Sequence, residues 1–175
     1  MTYCVAMRLD AGLVFLSDSR TNAGVDQVGS FRKMSVFEIP GERTLVLMTA
    51  GNLSVSQSVR QIVAEQLTAE GKSIWTVKSM YEAAQIVGEA IRSIHQRDSA
   101  ALAQFGIDFN VSMILGGQIK GERCRLFQMY SAGNFIESYD ENIYFQIGEA
   151  KYGKPIIDRV MTPSTPLDEA AKCAL

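Results

Sequence analysis

Apolar positions open the chain with a strand pattern. Residues 3–9 (YCVAMRL) and 13–17 (LVFLS) carry apolar and β-branched side chains on adjacent positions and flank Asp10-Ala11-Gly12, where glycine can take the positive φ of a short hairpin connection. Apolar residues on both alternating sets predict strands covered on both faces. Residues 34–39 (MSVFEI) and 44–49 (TLVLMT) repeat the arrangement around Pro40-Gly41-Glu42-Arg43, with proline and glycine supplying the turn.

The period then changes from two to 3.6. Ser54 with Gln57 three residues on has the form of a capping box, and Val55, Val59, Ile62 and Leu67 line one face up to Gly71, which predicts a helix over 54–70. Val77, Met80, Ala84, Val87, Ile91 and Ile94 recur at spacings of three and four and predict a longer helix over 76–104. Strand patterns return at 107–115 and 123–130, with Gly116-Gly117 and Gly121 as the intervening turn, and again at 134–137 and 143–147. Residues 153–161 read as a helix, and Thr165-Pro166 followed by Asp168 and Glu169 opens a last one with threonine as N-cap. That helix meets no stop signal before Leu175, so a continuing natural chain is expected. Strands, two helices, strands and helices make an α+β class. Largely apolar strands with two helix pairs suggest two stacked sheets with helices outside, a four-layer αββα sandwich.

Composition bounds the chemistry. At 175 residues and 47% hydrophobic, one domain with a sizeable core is expected. The 17 basic and 19 acidic residues are spread without a like-charge run, and the formal net charge is −2, so neither nucleic acid nor an anionic membrane is an expected partner. No apolar run approaches the roughly 18 residues of a membrane span. Arg8 and Asp10 stand where a signal peptide would continue its apolar core, which predicts a cytoplasmic protein. Cys4, Cys124 and Cys173 lack a metal-ligand or disulfide spacing, so no metal and no cofactor is expected.

The candidate chemistry lies at the start. Removing Met1 would free a threonine with hydroxyl and α-amino group on one residue, a nucleophile and a base without histidine. His95, the single histidine, falls beside the apolar stripe of the long helix, where a surface or packed role is expected. Thr2 starts the first strand, Asp18 follows the second, Lys33 precedes the third and Gly51 closes the fourth. Adjacent strands could bring all four to one sheet edge. Taken singly, Asp18 is an ordinary turn residue, Lys33 a solvated lysine and Gly51 a link between strand and helix; the ordered set is what carries weight.

That set, Thr2, S-D-S-R, F-R-K-M and T-A-G-N, resembles the proteasome β-type subunits and their bacterial relatives of the HslV type. Among these it is most similar to the ancestral-beta-subunit (Anbu) proteins, through the M-T-Y-C-V-A-M start and the D-S-R-T-N-A-G-V-D segment. The resemblance implies an N-terminal nucleophile hydrolase: Thr2 as nucleophile, its α-amino group as base, Lys33 beside it, Asp18 holding Lys33, and the Gly51 N–H binding the oxyanion. Thr21, Thr49 and Leu53 would border a substrate pocket. It further implies a self-compartmentalised, ring-like homo-oligomer with the two long helices in subunit contacts, acting on peptide or unfolded protein, with an unfoldase as a possible partner. A shell without activity and an amidase of small amides are the other functions the family allows. Two departures stand out: Glu149 follows Gly148 where relatives usually place a serine, and relatives supply an aspartate, a serine and further strands from a segment beyond the last helix, so the chain reads as truncated.

Overall fold

A computed structural model describes residues 2–22 and 28–175, with Thr21, Asn22, Val28 and Ser30 described by their backbone alone. The first hairpin forms as the pattern predicts. Strand β1 (Tyr3–Leu9) pairs antiparallel with β2 (Gly12–Ser17), and on its other edge with β10 (Tyr144–Gly148), in a three-stranded sheet β10-β1-β2. A second sheet has the order β5-β6-β7-β8-β9, formed by Met34–Ile39, Arg43–Gly51, Val111–Ile119, Arg125–Met129 and Phe135–Glu137, all neighbours antiparallel. Four helices complete the α+β fold: α1 (Leu53–Glu65), α2 (Met80–Gln104), α3 (Gly153–Val160) and α4 (Leu167–Ala174). No helix of the described residues is long and apolar enough to cross a membrane.

The period-2 alternation sorts side chains into three apolar clusters. Along β1, Cys4 and Ala6 join the cluster facing β6 and β7, whereas Val5, Met7 and Leu9 join Ile157, Ala170 and Ala174 of α3 and α4. Along β6, Val46, Met48 and Ala50 face the three-stranded sheet, and Leu45 and Leu47 face the helices. The third cluster holds α1 and α2 against the five-stranded sheet: Val59, Met80, Val87, Ile91 and Ile94 meet Met113, Leu115 and Phe127. A register slip of one residue in β1 or β6 would exchange these sets, so burial on both faces fixes the pairing.

Several boundaries differ from the sequence pattern, each for a local reason. Asn52, not Ser54, caps α1: its side chain accepts from Ser54 N at 3.0 Å and Val55 N at 3.4 Å. Helix α2 has its own side-chain cap, where Ser79 Oγ accepts from Glu82 N, and Glu82 Oε2 accepts from Lys78 N one residue before the cap. Helix α1 stops at Glu65, so Leu67 is 66% exposed rather than part of the apolar face. Gly116 and Gly117 continue β7 instead of turning. A Cβ at Gly116 would stand 2.7 Å from the Phe15 ring and one at Gly117 2.2 Å from Thr44 O, so these glycines admit close neighbours within the sheet stack. The cap of α4 is Pro166; the Thr165 hydroxyl accepts from Thr162 N within the preceding turn. His95 is exposed, its ring edge-on to Phe109 with centroids 4.8 Å apart.

Candidate active site

The chain start is held by two strand ends. Tyr3 N donates to Asp18 Oδ1 at 2.8 Å, Asp18 N donates to Tyr3 O at 2.9 Å, and Glu149 N donates to Thr2 O at 2.7 Å. Thr2 therefore sits between the end of β2 and the end of β10, half-buried. The approach at β10 demands glycine: Gly148 has φ +86° and a Cβ there would lie 2.0 Å from Thr2 O. Glu149 thus serves Thr2 through its backbone N–H. Its carboxylate accepts from Lys151 N at 3.0 Å.

A short hairpin closes Lys33 onto Asp18. Strands β3 (Arg20–Asn22) and β4 (Val28–Ser30) pair Arg20 with Ser30, and Phe31 N donates to Ser19 O at 2.9 Å. That return brings residue 33 beside residue 18. Lys33 Nζ donates to Asp18 Oδ2 and to Arg20 O, both at 2.5 Å, and Lys33 is only 7% exposed. An ammonium so buried requires a counter-charge. Asp18 also accepts from Arg20 N at 3.0 Å. Burial alone would raise its carboxyl, but the hydrogen bonds from Lys33, Tyr3 N and Arg20 N and the charge of Lys33 hold it below the usual range. The neighbouring Cys4 thiol is pushed up to about 12, first by burial and then by the Asp18 charge, with Lys33 opposing, so it stays protonated at neutral pH.

Gly51 completes the edge. It ends β6 opposite Val111 with φ +104°, and a Cβ would stand 2.4 Å from Asn110 O. Only glycine can turn there directly into the Asn52 cap. Thr49 is joined to the same corner, its N donating to Lys33 O at 2.9 Å.

These elements surround a small cleft lined by Thr2, Phe31, Arg32, Lys33, Thr49, Ala50, Gly51, Leu53, Ser56, Gln57 and Arg60. Of the residues singled out from the sequence, Thr2, Lys33, Thr49, Gly51 and Leu53 line it, while Asp18 backs Lys33 from behind. The Thr21 side chain lies outside the described residues, as does Met1. Sequence reasoning missed Phe31 and Arg32 beside Lys33, the Ser56, Gln57 and Arg60 side of α1, and the grip of Gly148 and Glu149 on Thr2. The spacing 53, 56, 57, 60 does mark one helix face; its polar character hid it from a search for apolar stripes. Among the described residues no three His, Cys, Asp or Glu side chains group as metal ligands. A hydroxyl, a buried ammonium fixed by a carboxylate, and a glycine turn around one cleft are parts suited to acyl transfer.

No family model matches the sequence, and no curated protein does. Solved structures match closely. The chain is similar to the Anbu (ancestral beta-subunit) structure from Yersinia bercovieri, at 55% identity and a TM-score of 0.90, covering 98% of this chain and 71% of that one. It is similar to the helical assembly of the Anbu complex from Pseudomonas aeruginosa, at 48% identity and a TM-score of 0.92, with 98% and 71% covered. Anbu from Hyphomicrobium sp. strain MC1 matches at 47% identity and a TM-score of 0.87, again over 98% and 71%.

Proposed function

Because the chain belongs to the Anbu, or ancestral beta-subunit, family of proteasome-like proteins, we propose that it is an N-terminal threonine peptidase working inside an assembly of its own copies. Residues 1–175 belong to one proteasome β-like domain, and the three apolar clusters of the described residues are the seams of a four-layer αββα sandwich. The observation that carries the reading is that Lys33, fixed from behind by Asp18, lines the same cleft as Thr2.

Once Met1 is removed, the freed α-amino group, with an unperturbed pKa near ~8, takes the proton of the Thr2 hydroxyl directly or through water. The oxygen attacks the substrate carbonyl carbon. Lys33 disfavours a second positive charge nearby, which keeps the amine neutral, and it stabilises the developing alkoxide. The Gly51 N–H, at the glycine turn, receives the oxyanion. Collapse breaks the amide C–N bond as the proton passes to the leaving amine, leaving an ester on Thr2 that water hydrolyses to regenerate the hydroxyl. Thr49 and Leu53 border the substrate.

Intact mass together with hydrolysis of fluorogenic peptides tests this. Wild-type protein should lack Met1 and cleave; Thr2→Ala should not, and Lys33→Ala should lose at least ~10²-fold while assembling normally. Retained methionine in most molecules, or cleavage undiminished in Thr2→Ala, overturns the mechanism.

A further inference from the structure

The cleft around Thr2 has a lopsided charge. Arg32, Lys33 and Arg60 line it, and among the described residues no Asp or Glu does. Lys33 is matched by Asp18 behind it. Arg32 and Arg60 are exposed and enter none of the ion pairs or side-chain hydrogen bonds among the described residues. They come from separate elements: Arg32 from the link between β4 and β5, Arg60 from α1, one turn beyond Gln57 on the same face. Phe31, Ala50 and Leu53 supply apolar wall.

We propose that this pocket selects a carboxylate side chain, so that the substrate carries an acidic residue, glutamate in particular, immediately N-terminal to the amide that is cut. The proposal rests on the assignment of Thr2 as nucleophile, which sets where the bond lies relative to the pocket. The apolar wall takes the methylene stem, and the guanidinium groups of Arg32 and Arg60 take the carboxylate through charge-assisted, forked hydrogen bonds. The α1 N-terminus is not the anion site, since Asn52 Oδ1 already occupies the N–H groups of Ser54 and Val55. The same two arginines exclude a lysine or arginine side chain by like charge, so selectivity has a repulsive half as well as an attractive one.

Two measurements on the full chain test it. In the first, peptidyl-coumarin amides differing only in the last residue, Glu, Gln or Lys, are compared by kcat/KM. Glu should exceed its neutral isostere Gln by about tenfold, a ratio within reach of one partly desolvated charge pair, with Lys lowest. Arg60→Glu should invert the order to Lys over Glu, and Arg32→Gln and Arg60→Gln should each shrink the Glu:Gln ratio. In the second, Thr2→Ala protein is titrated with fluorescein-labelled tripeptide amides ending in the same three residues; the Glu peptide should bind tightest, with a preference that falls as salt is raised. Equal handling of Glu and Gln, or a preference untouched by Arg60→Glu, overturns the pocket assignment and leaves the peptidase reading standing. Tight, salt-sensitive Glu binding with no cleavage by the wild type sinks the peptidase reading and leaves the pocket assignment standing. Neither binding nor cleavage overturns both.

Discussion

Asp18 couples the site to acid. Its carboxylate, 28% exposed, accepts from one side-chain and two backbone donors, and its folded-state pKa lies below the ordinary value. A group depressed in the folded state contributes stability that is fully present above its unfolded pKa, near ~3.9, and is lost as pH falls through the folded value. Denaturation midpoints should therefore drop on acidification below about pH 4, and Asp18→Asn should flatten that limb while lowering stability at neutral pH, where it removes the carboxylate 2.5 Å from the buried Lys33 ammonium. An unchanged acid limb would mean that Asp18 gains nothing on folding. Gly51 is a second single-residue constraint. Alanine there must hold φ +104° and meet Asn110 O at 2.4 Å. Gly51→Ala should cost roughly 1–3 kcal/mol, read as a lower thermal midpoint. A midpoint equal to wild type would show that the turn from β6 to α1 has slack.

At the scale of elements, α1 carries the clearest expectation. Asn52 takes two of the orphan N–H groups of its first turn, so Asn52→Ala should destabilise by about 1 kcal/mol, more than Ser54→Ala at the position that a capping-box search selects. Equal effects would show that the first turn is capped by solvent. The difference has a physical source. Both residues can cap, and the choice is made by where β6 ends, which the glycine turn at Gly51 decides. The centre of the apolar stripe of α2 was legible, because Met80, Ala84, Val87, Ile91 and Ile94 are all buried at helical spacing, whereas the flanking buried positions Ala83, Ile86 and Ala90 were not singled out. Its start at the Ser79 and Glu82 pair was missed, since the stripe itself runs back to Val77, which is buried in the turn before the helix. Strand β7 runs through two glycines that ordinarily mark a turn, for their lack of a side chain is used for packing across the sheets.

At the scale of the molecule, the nucleophile proposed at Thr2 would need enclosure to spare other proteins, and the Pseudomonas relative is itself solved as a helical assembly. Light scattering of the full chain should give a mass several times that of one copy; a monomer with full peptidase activity would contradict enclosure and favour an amidase of small molecules. The sequence by itself determined the class of the fold, because two-residue and 3.6-residue periods are local properties that each stretch carries alone. It also located Thr2, Asp18, Lys33 and Gly51 at or beside strand ends. What only tertiary structure decided is their meeting. The β3–β4 hairpin returns Lys33 to Asp18 across fifteen positions, and β10 reaches back from the far end of the chain to clamp Thr2. The basic wall of Arg32 and Arg60 belongs to the same category: two exposed arginines on different elements look solvated in a sequence, and they become a pocket only when sheet and helix close around one cleft.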